Sequence, residues 1–231
     1  MTASFLLEKE GPITTLTFNQ PARRNFMNHD VMREMEELIR GVRDDRETRV
    51  LITTGTGPAF SAGADLSVPT DVTDPKERER LILERNKGLA RVIGRVFDLI
   101  TRLDCMTIAA VNGYAVGGGW AIVAAFDFVI AVEEAEFWVP EVDLNQSYVG
   151  GPAHVMAARM GPWRAKEAMI LCRHYTAREL LEIGMVNKVV EARDLLGQAR
   201  EMAQVLARKN PKAATATKHF VDGAFIGPRW Y

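Results

Sequence analysis

Thr107-Ile108-Ala109-Ala110-Val111-Asn112-Gly113-Tyr114-Ala115-Val116-Gly117-Gly118-Gly119 decides the fold of this chain. Thr107 to Val111 is an apolar, partly β-branched run and reads as a buried strand. Asn112-Gly113 punctuates it, and Gly117–Gly119 opens a short buried helix running to about Phe126. Glycines at a helix start leave backbone N–H groups unpaired at the positive end of the helix dipole. Such a terminus suits a ligand bearing negative charge. It equally suits close packing of backbone on backbone.

The same alternation extends outward from this stretch. Arg49 to Thr54 reads as a buried strand ended by Gly55-Thr56-Gly57-Pro58, and Asp127 to Val132 as another strand. From Asp71 to Arg85 the chain is strongly charged. It then becomes a helix with Leu89, Val92, Ile93, Val96, Phe97 and Ile100 on one side. Strands separated by amphipathic helices indicate an α/β fold, with the strands at 49–54, 107–111 and 127–132 in one parallel sheet. Upstream, residues 5–8 and 13–18 flank Glu10-Gly11-Pro12 as a hairpin. Asn28 caps a helix over 29–43 that carries Val31, Met35, Leu38 and Val42. Phe137–Val139 can pair briefly. After Gly150 the pattern turns mostly helical, over about 152–160, 163–171, 177–182, 193–208 and 211–222, with a possible strand at 186–190. This last third is expected to form a different layer.

The 231 residues are 47% hydrophobic and 26% charged, which fits one globular domain or one domain plus a small appendage. Lys+Arg 29 against Asp+Glu 30 leaves a net charge of −1, and this argues against nucleic acid as a partner. Cys105 and Cys172 form neither a disulfide framework nor a metal motif, so a cytoplasmic location is expected. His29, His154, His174 and His219 lie far apart and no metal is expected. The opening residues do not read as a signal peptide. Met106 to Val132 holds one charge, Asp127, but its glycines and β-branched residues read as strand, turn and buried helix rather than a membrane span.

Four constellations carry possible chemistry. Gly55-Thr56-Gly57-Pro58-Ala59-Phe60 half-matches a dinucleotide fingerprint, but Phe60 replaces the third glycine and Pro58 removes an N–H. Ala59 to Leu66 crowds small residues into a turn with Asp65 just beyond. That pattern admits close ligand approach, or simply a tight loop with an Asx turn. The Gly117–Gly119 helix start is the third. Glu141, in Phe137-Trp138-Val139-Pro140-Glu141, is the fourth. An apolar setting raises a carboxylate's pKa and suits a general base, whereas a solvated loop glutamate is the ordinary alternative.

Order and spacing together give these features meaning. From about Phe5 to Val221 the chain resembles the crotonase, or enoyl-CoA hydratase/isomerase, superfamily. The resemblance rests on Gly55–Leu66, Ala109–Gly119, the Asp127 strand, Ala135-Glu136-Phe137 leading to Pro140-Glu141, and Gly184–Val190. It implies a crotonase-like spiral of ββα turns over residues 1–175, then a helical C-terminal segment over 176–231 used in trimerisation. It places two oxyanion-hole N–H groups on Ala64, after Gly63, and on Gly118, after Gly117. Fixed N–H donors of this kind stabilise a thioester enolate as it forms. Coenzyme A, part of the substrate rather than a cofactor, would lie along Arg24, Ala62, Ala64, Asp65 and Leu66.

The chain departs from the family in four places. Ala121 stands where hydratases carry their first glutamate, leaving Glu141 as the principal acid/base. Trp120, Phe137 and Trp138 are bulky. Thr107 stands where proline often precedes the strand, and Tyr231 ends the chain where typical members continue with another helix pair. One glutamate suffices for a double-bond shift, so an isomerase-like reaction on an acyl-CoA thioester is expected. The alternatives are hydration, decarboxylation with Tyr148 near the reacting carbon, or non-catalytic acyl-CoA binding. Asp143, two residues after Glu141, would share its face if the segment is extended. A homotrimer or dimer of trimers is expected, with Leu195, Ala199, Met202, Ala203 and Leu206 supplying either core or interface.

Overall fold

The structure, a computed structural model, describes residues 4–65, 67, 73–148 and 150–225. Strands β1 (Phe5–Glu10) and β2 (Ile13–Phe18) form the opening antiparallel hairpin. Helix α1 (His29–Asp44) follows, and the Asn28 side chain accepts from the Val31 N–H as its cap.

Three ββα turns then repeat. The first holds β3 (Val50–Gly55), β4 (Ala59–Ser61) and α2 (Pro75–Thr101). The second holds β5 (Met106–Val111), β6 (Tyr114–Val116) and α3 (Gly118–Ala124). The third holds β7 (Phe128–Val132), β8 (Glu136–Trp138) and α4 (Gly151–Met160). Each turn gives its first strand to one sheet and its second to another. The chain closes with α5 (Pro162–Ile170), β9 (Tyr175–Thr176), α6 (Ala177–Glu182), β10 (Lys188–Val190), α7 (Leu195–Ala207) and α8 (Pro211–Phe225). The large sheet has the order β1-β2-β3-β5-β7-β10 and the small one β4-β6-β8-β9. As the hydrophobic runs implied, β3, β5 and β7 are parallel neighbours. This is the α/β spiral.

The two short strands β4 and β6 have no signal of their own in the sequence, since three residues are too few to show alternation. Helix α2 also starts ten residues before Arg85, inside the charged run, capped by Asp74 and exposed on most of that stretch.

The last third is not a layer apart. Strand β10 pairs in parallel with β7 and extends the large sheet. The buried residues of α7 are Leu195, Ala199 and Ala203, and the helix packs across β3, β5 and β7. The small alanines let it approach the sheet closely, so this stripe is core.

Thr107 has a structural reason to replace proline. Its N–H and its hydroxyl both donate to Asp127 Oδ2, at 2.8 and 2.9 Å. A proline there has no N–H to give. The Lys218 ammonium, 8% exposed, sits 2.9 Å from the same oxygen and also donates to the Cys105 carbonyl.

Candidate active site

Strands β4, β6 and β8 are parallel neighbours. Their C-terminal ends therefore lie side by side, the usual place for a site in a parallel α/β sheet. After β4 comes Ala62–Asp65, after β6 comes Gly117–Gly118, and after β8 comes Pro140–Glu141. Segments separated by dozens of residues are thus set next to one another.

The β4 turn is held on one side by the chain around Met27. Met27 N–H donates to the Gly63 carbonyl at 2.7 Å, Asp65 N–H to the Met27 carbonyl at 2.8 Å, and Ala62 N–H to the Arg24 carbonyl at 2.9 Å. Backbone groups alternate along an extended segment, so Ala64 N–H faces away from Met27. It has no acceptor among the described residues. Gly63 has φ +81°, and a Cβ there would lie 2.6 Å from the Val116 carbonyl oxygen and 3.7 Å from Gly118 N. Only glycine fits this approach of two backbones. The Ser61 hydroxyl accepts from Gly63 N–H at 3.1 Å and donates to the Asn25 carbonyl.

Gly117 N–H donates to the Trp138 carbonyl at 2.9 Å, prolonging the β6–β8 pairing. Gly118 then begins α3. Its N–H has no acceptor among the described residues, as expected for the first turn of a helix. The Gly118 Cα is lined by Ile93 and Met27, whose side chains would lie 2.9 and 3.5 Å from a Cβ placed there.

Glu141 reaches back to this point. Its Oε1 would lie 2.5 Å from a Cβ on Gly117, where φ is +49°. Its Oε2 is buried without a hydrogen-bond partner among the described residues. Burial pushes the carboxyl up to about 7 from an ordinary 4.5, and no second carboxylate contributes. Tyr148 packs nearby, its hydroxyl 3.6 Å from Met156 Sδ. Burial holds that phenol well above its ordinary range, with the Glu141 charge adding to the effect.

Other sequence-marked residues fall differently. Asp143 is exposed, because residues 141–145 form a turn in which Leu144 and Gln146 N–H groups return to the Glu141 carbonyl. The extended segment that would put it beside Glu141 is absent. Trp138 does not shield Glu141: its ring stacks on His174 at 4.4 Å and meets Tyr114 edge-on. Trp120 and Phe137 are core, packed with each other and with Tyr175. Asp65 forms the Asx turn, accepting from Ser67 N–H, and pairs with Arg23 at 3.6 Å. The Arg24 side chain is exposed, and its residue has φ 52°. Leu66 lies outside the described residues.

The Gly55–Pro58 loop holds no nucleotide-binding cradle. Asn25 donates to the Thr56 and Ala59 carbonyls, and Asn112 donates to Gly57 and Ala59 while accepting from Gly55 N–H. Two asparagines from distant segments thus satisfy the loop. Their roles were hidden because each stands in a loop with no partner visible along the chain.

The model of the family Enoyl-CoA hydratase/isomerase matches residues 8–225. The chain belongs to that family, within the crotonase superfamily. It is 34% identical over 218 residues to a short-chain-enoyl-CoA hydratase of Clostridium acetobutylicum, covering 94% of this chain and 80% of that protein. The enoyl-CoA hydratase structure from Bacillus anthracis superposes with a TM-score of 0.88 at 28% identity, over 98% of this chain and 85% of that one. A monofunctional enoyl CoA isomerase from M. smegmatis gives 0.79 at 29% identity, over 99% and 96%.

Proposed function

We propose that the chain binds an acyl-CoA thioester and shifts a carbon–carbon double bond in its acyl group, with Glu141 carrying the proton. The observation that carries this reading is the buried carboxyl of Glu141, its Oε1 beside Gly117 and its Oε2 without a hydrogen-bond partner among the described residues. A base poised near neutrality accepts a proton and gives it back with little loss of driving force.

In the forward direction Glu141 takes a proton from C2 of a 3-enoyl thioester. The C–H electron pair moves into the C1–C2 bond, and the carbonyl π electrons move onto the thioester oxygen. The Ala64 and Gly118 N–H groups donate to that oxygen, and their fixed backbone needs no reorganisation as charge develops. Glu141 then returns its proton to C4 as the dienolate collapses, leaving the double bond between C2 and C3. One carboxyl serves both steps because the proton it takes at C2 is the one it gives at C4.

Hydration needs a second group to hold and activate water. The position on α3 that would supply it is Ala121, 2% exposed, and Asp143 points outward. The Clostridium acetobutylicum relative is named a hydratase and the M. smegmatis structure an isomerase. The single carboxylate favours the second chemistry here.

The test offers trans-3-hexenoyl-CoA and crotonyl-CoA in deuterated water, following products by mass. Formation of 2-hexenoyl-CoA, with negligible 3-hydroxyacyl-CoA, is the expected result, and any deuterium at C4 measures how far Glu141 exchanges its proton with solvent before returning it. Predominant hydration refutes the isomerase reading. Tight binding with no turnover of either thioester refutes catalysis.

A further inference from the structure

We propose that the acyl group of the substrate ends in a carboxylate, which Arg85 and Asn86 receive. This rests on the acyl-CoA reading above and names the substrate class more narrowly.

Arg85 and Asn86 lie on α2, where the sequence shows only the end of a charged run. Asn86 is 9% exposed, an unusual burial for an amide on a helix whose neighbouring turns are charged. Its Oδ1 accepts from Arg85 Nε at 3.4 Å, which fixes the amide orientation. The Nδ2 group, at the other end of the amide, is buried with no partner among the described residues. Arg85 Nη1 donates to the Ser67 carbonyl, while Nη2 is likewise buried without a partner. Two donors, one on a cation, therefore stand on neighbouring residues with no acceptor among the described residues. Leaving buried donors unpaired is costly, and native proteins rarely do so without a reason. No carboxylate among the described residues lies within ion-pair distance of Arg85. A ligand carboxylate supplies two acceptor oxygens for such a guanidinium and amide.

The place in the fold points to the acyl end. Asn86 precedes Ile93 by seven residues, just under two helical turns, so both lie on the same face of α2. Ile93 Cδ1 would lie 2.9 Å from a Cβ on Gly118, so it lines the space beside the proposed oxyanion N–H. The rise between the two residues is about 10 Å. An extended chain advances about 1.2 Å per bond, so an acyl group of roughly six to ten carbons spans that distance. The Arg85 guanidinium also reaches this region, since its Nη1 donates to the carbonyl of Ser67, three residues beyond Ala64. The carboxylate would thus sit at the far end of the acyl chain.

The test is equilibrium binding to the full chain by calorimetry. The probes are saturated thioesters that cannot be isomerised: adipoyl-, suberoyl- and sebacoyl-CoA, against hexanoyl-, octanoyl- and decanoyl-CoA. In the wild type, at least one carboxylate-ended probe should bind about tenfold or more tightly than its methyl-ended partner, since a site built for polar groups discriminates strongly. Asn86→Leu should abolish most of that ratio while leaving methyl-ended binding within a few-fold. Equal affinity for both series in the wild type overturns the proposal, whether or not the variant folds. Equal weakening of both series by Asn86→Leu also overturns it, because the donors would then serve the coenzyme A arm common to all probes. Methyl-ended probes that bind well while the ratio stays near one leave the acyl-CoA reading standing and remove this one. Failure of every probe to bind removes both.

Discussion

Replacing Glu141 by Gln should change activity and stability in opposite directions, and the stability change should depend on pH. The carboxyl is raised from 4.5 to about 7 by burial, with its Oε2 unpartnered. A raised carboxyl binds its proton more tightly in the folded state than in the unfolded one. Between about pH 4.5 and pH 7 the folded chain therefore holds the proton while the unfolded chain releases it. Stability falls as pH rises through that window. Above pH 7 the folded state carries a buried carboxylate, and the full penalty applies. The gap between 4.5 and about 7 corresponds to about 3 kcal/mol. Gln is neutral throughout and escapes this penalty. Urea unfolding of both proteins at pH 4.5, 6 and 8.5 isolates the effect, since the other titrating groups cancel in the difference. The variant should gain about 3 kcal/mol relative to wild type between the lowest and highest pH. Its isomerase rate should fall roughly 10²–10⁴-fold, the usual size of a general-base contribution, with thioester binding retained. In the wild type, kcat/KM should climb with pH through about 7 as the base deprotonates. A stability difference that does not change with pH would refute the burial argument. An active Gln variant would refute the assignment of the base.

Gly117→Ala places a methyl 2.5 Å from Glu141 Oε1 at a residue with φ +49°; it should lower kcat at least tenfold by displacing the carboxylate, with a smaller change in thioester affinity by calorimetry. Lys218→Met leaves the half-buried Asp127 with its Thr107 bonds but without its ion-pair partner; chemical denaturation should register a loss of about 3–5 kcal/mol, and a loss under 1 kcal/mol would show that the carboxylate is satisfied without Lys218.

The large sheet was legible in the chain because its evidence is local. Strands such as 107–111 are buried on both faces and read as continuous apolar runs. The Asn28 cap and the helix after it declare themselves within four residues. The chemistry-bearing segments were also legible, since small residues, a glycine run and an apolar-flanked glutamate each carry a mark. Their conjunction was not. Parallel pairing of β4, β6 and β8 sets Ala64, Gly118 and Glu141 side by side, and strands of three residues leave no periodicity to announce that pairing. The same limit left open whether Asp143 stands beside Glu141: that needs an extended segment, and the turn at 141–145 depends on two N–H groups returning to the Glu141 carbonyl. It explains the aromatics too, because whether Trp120 and Trp138 face a ligand or a neighbour is settled by what packs on them. Arg85 and Asn86 stand furthest from the sequence's reach. Nothing about a charged helical run distinguishes two donors among many. Only the folded chain buries these two and leaves them without acceptors among the described residues, because burial is a property of the assembled surface and not of the residues along the chain.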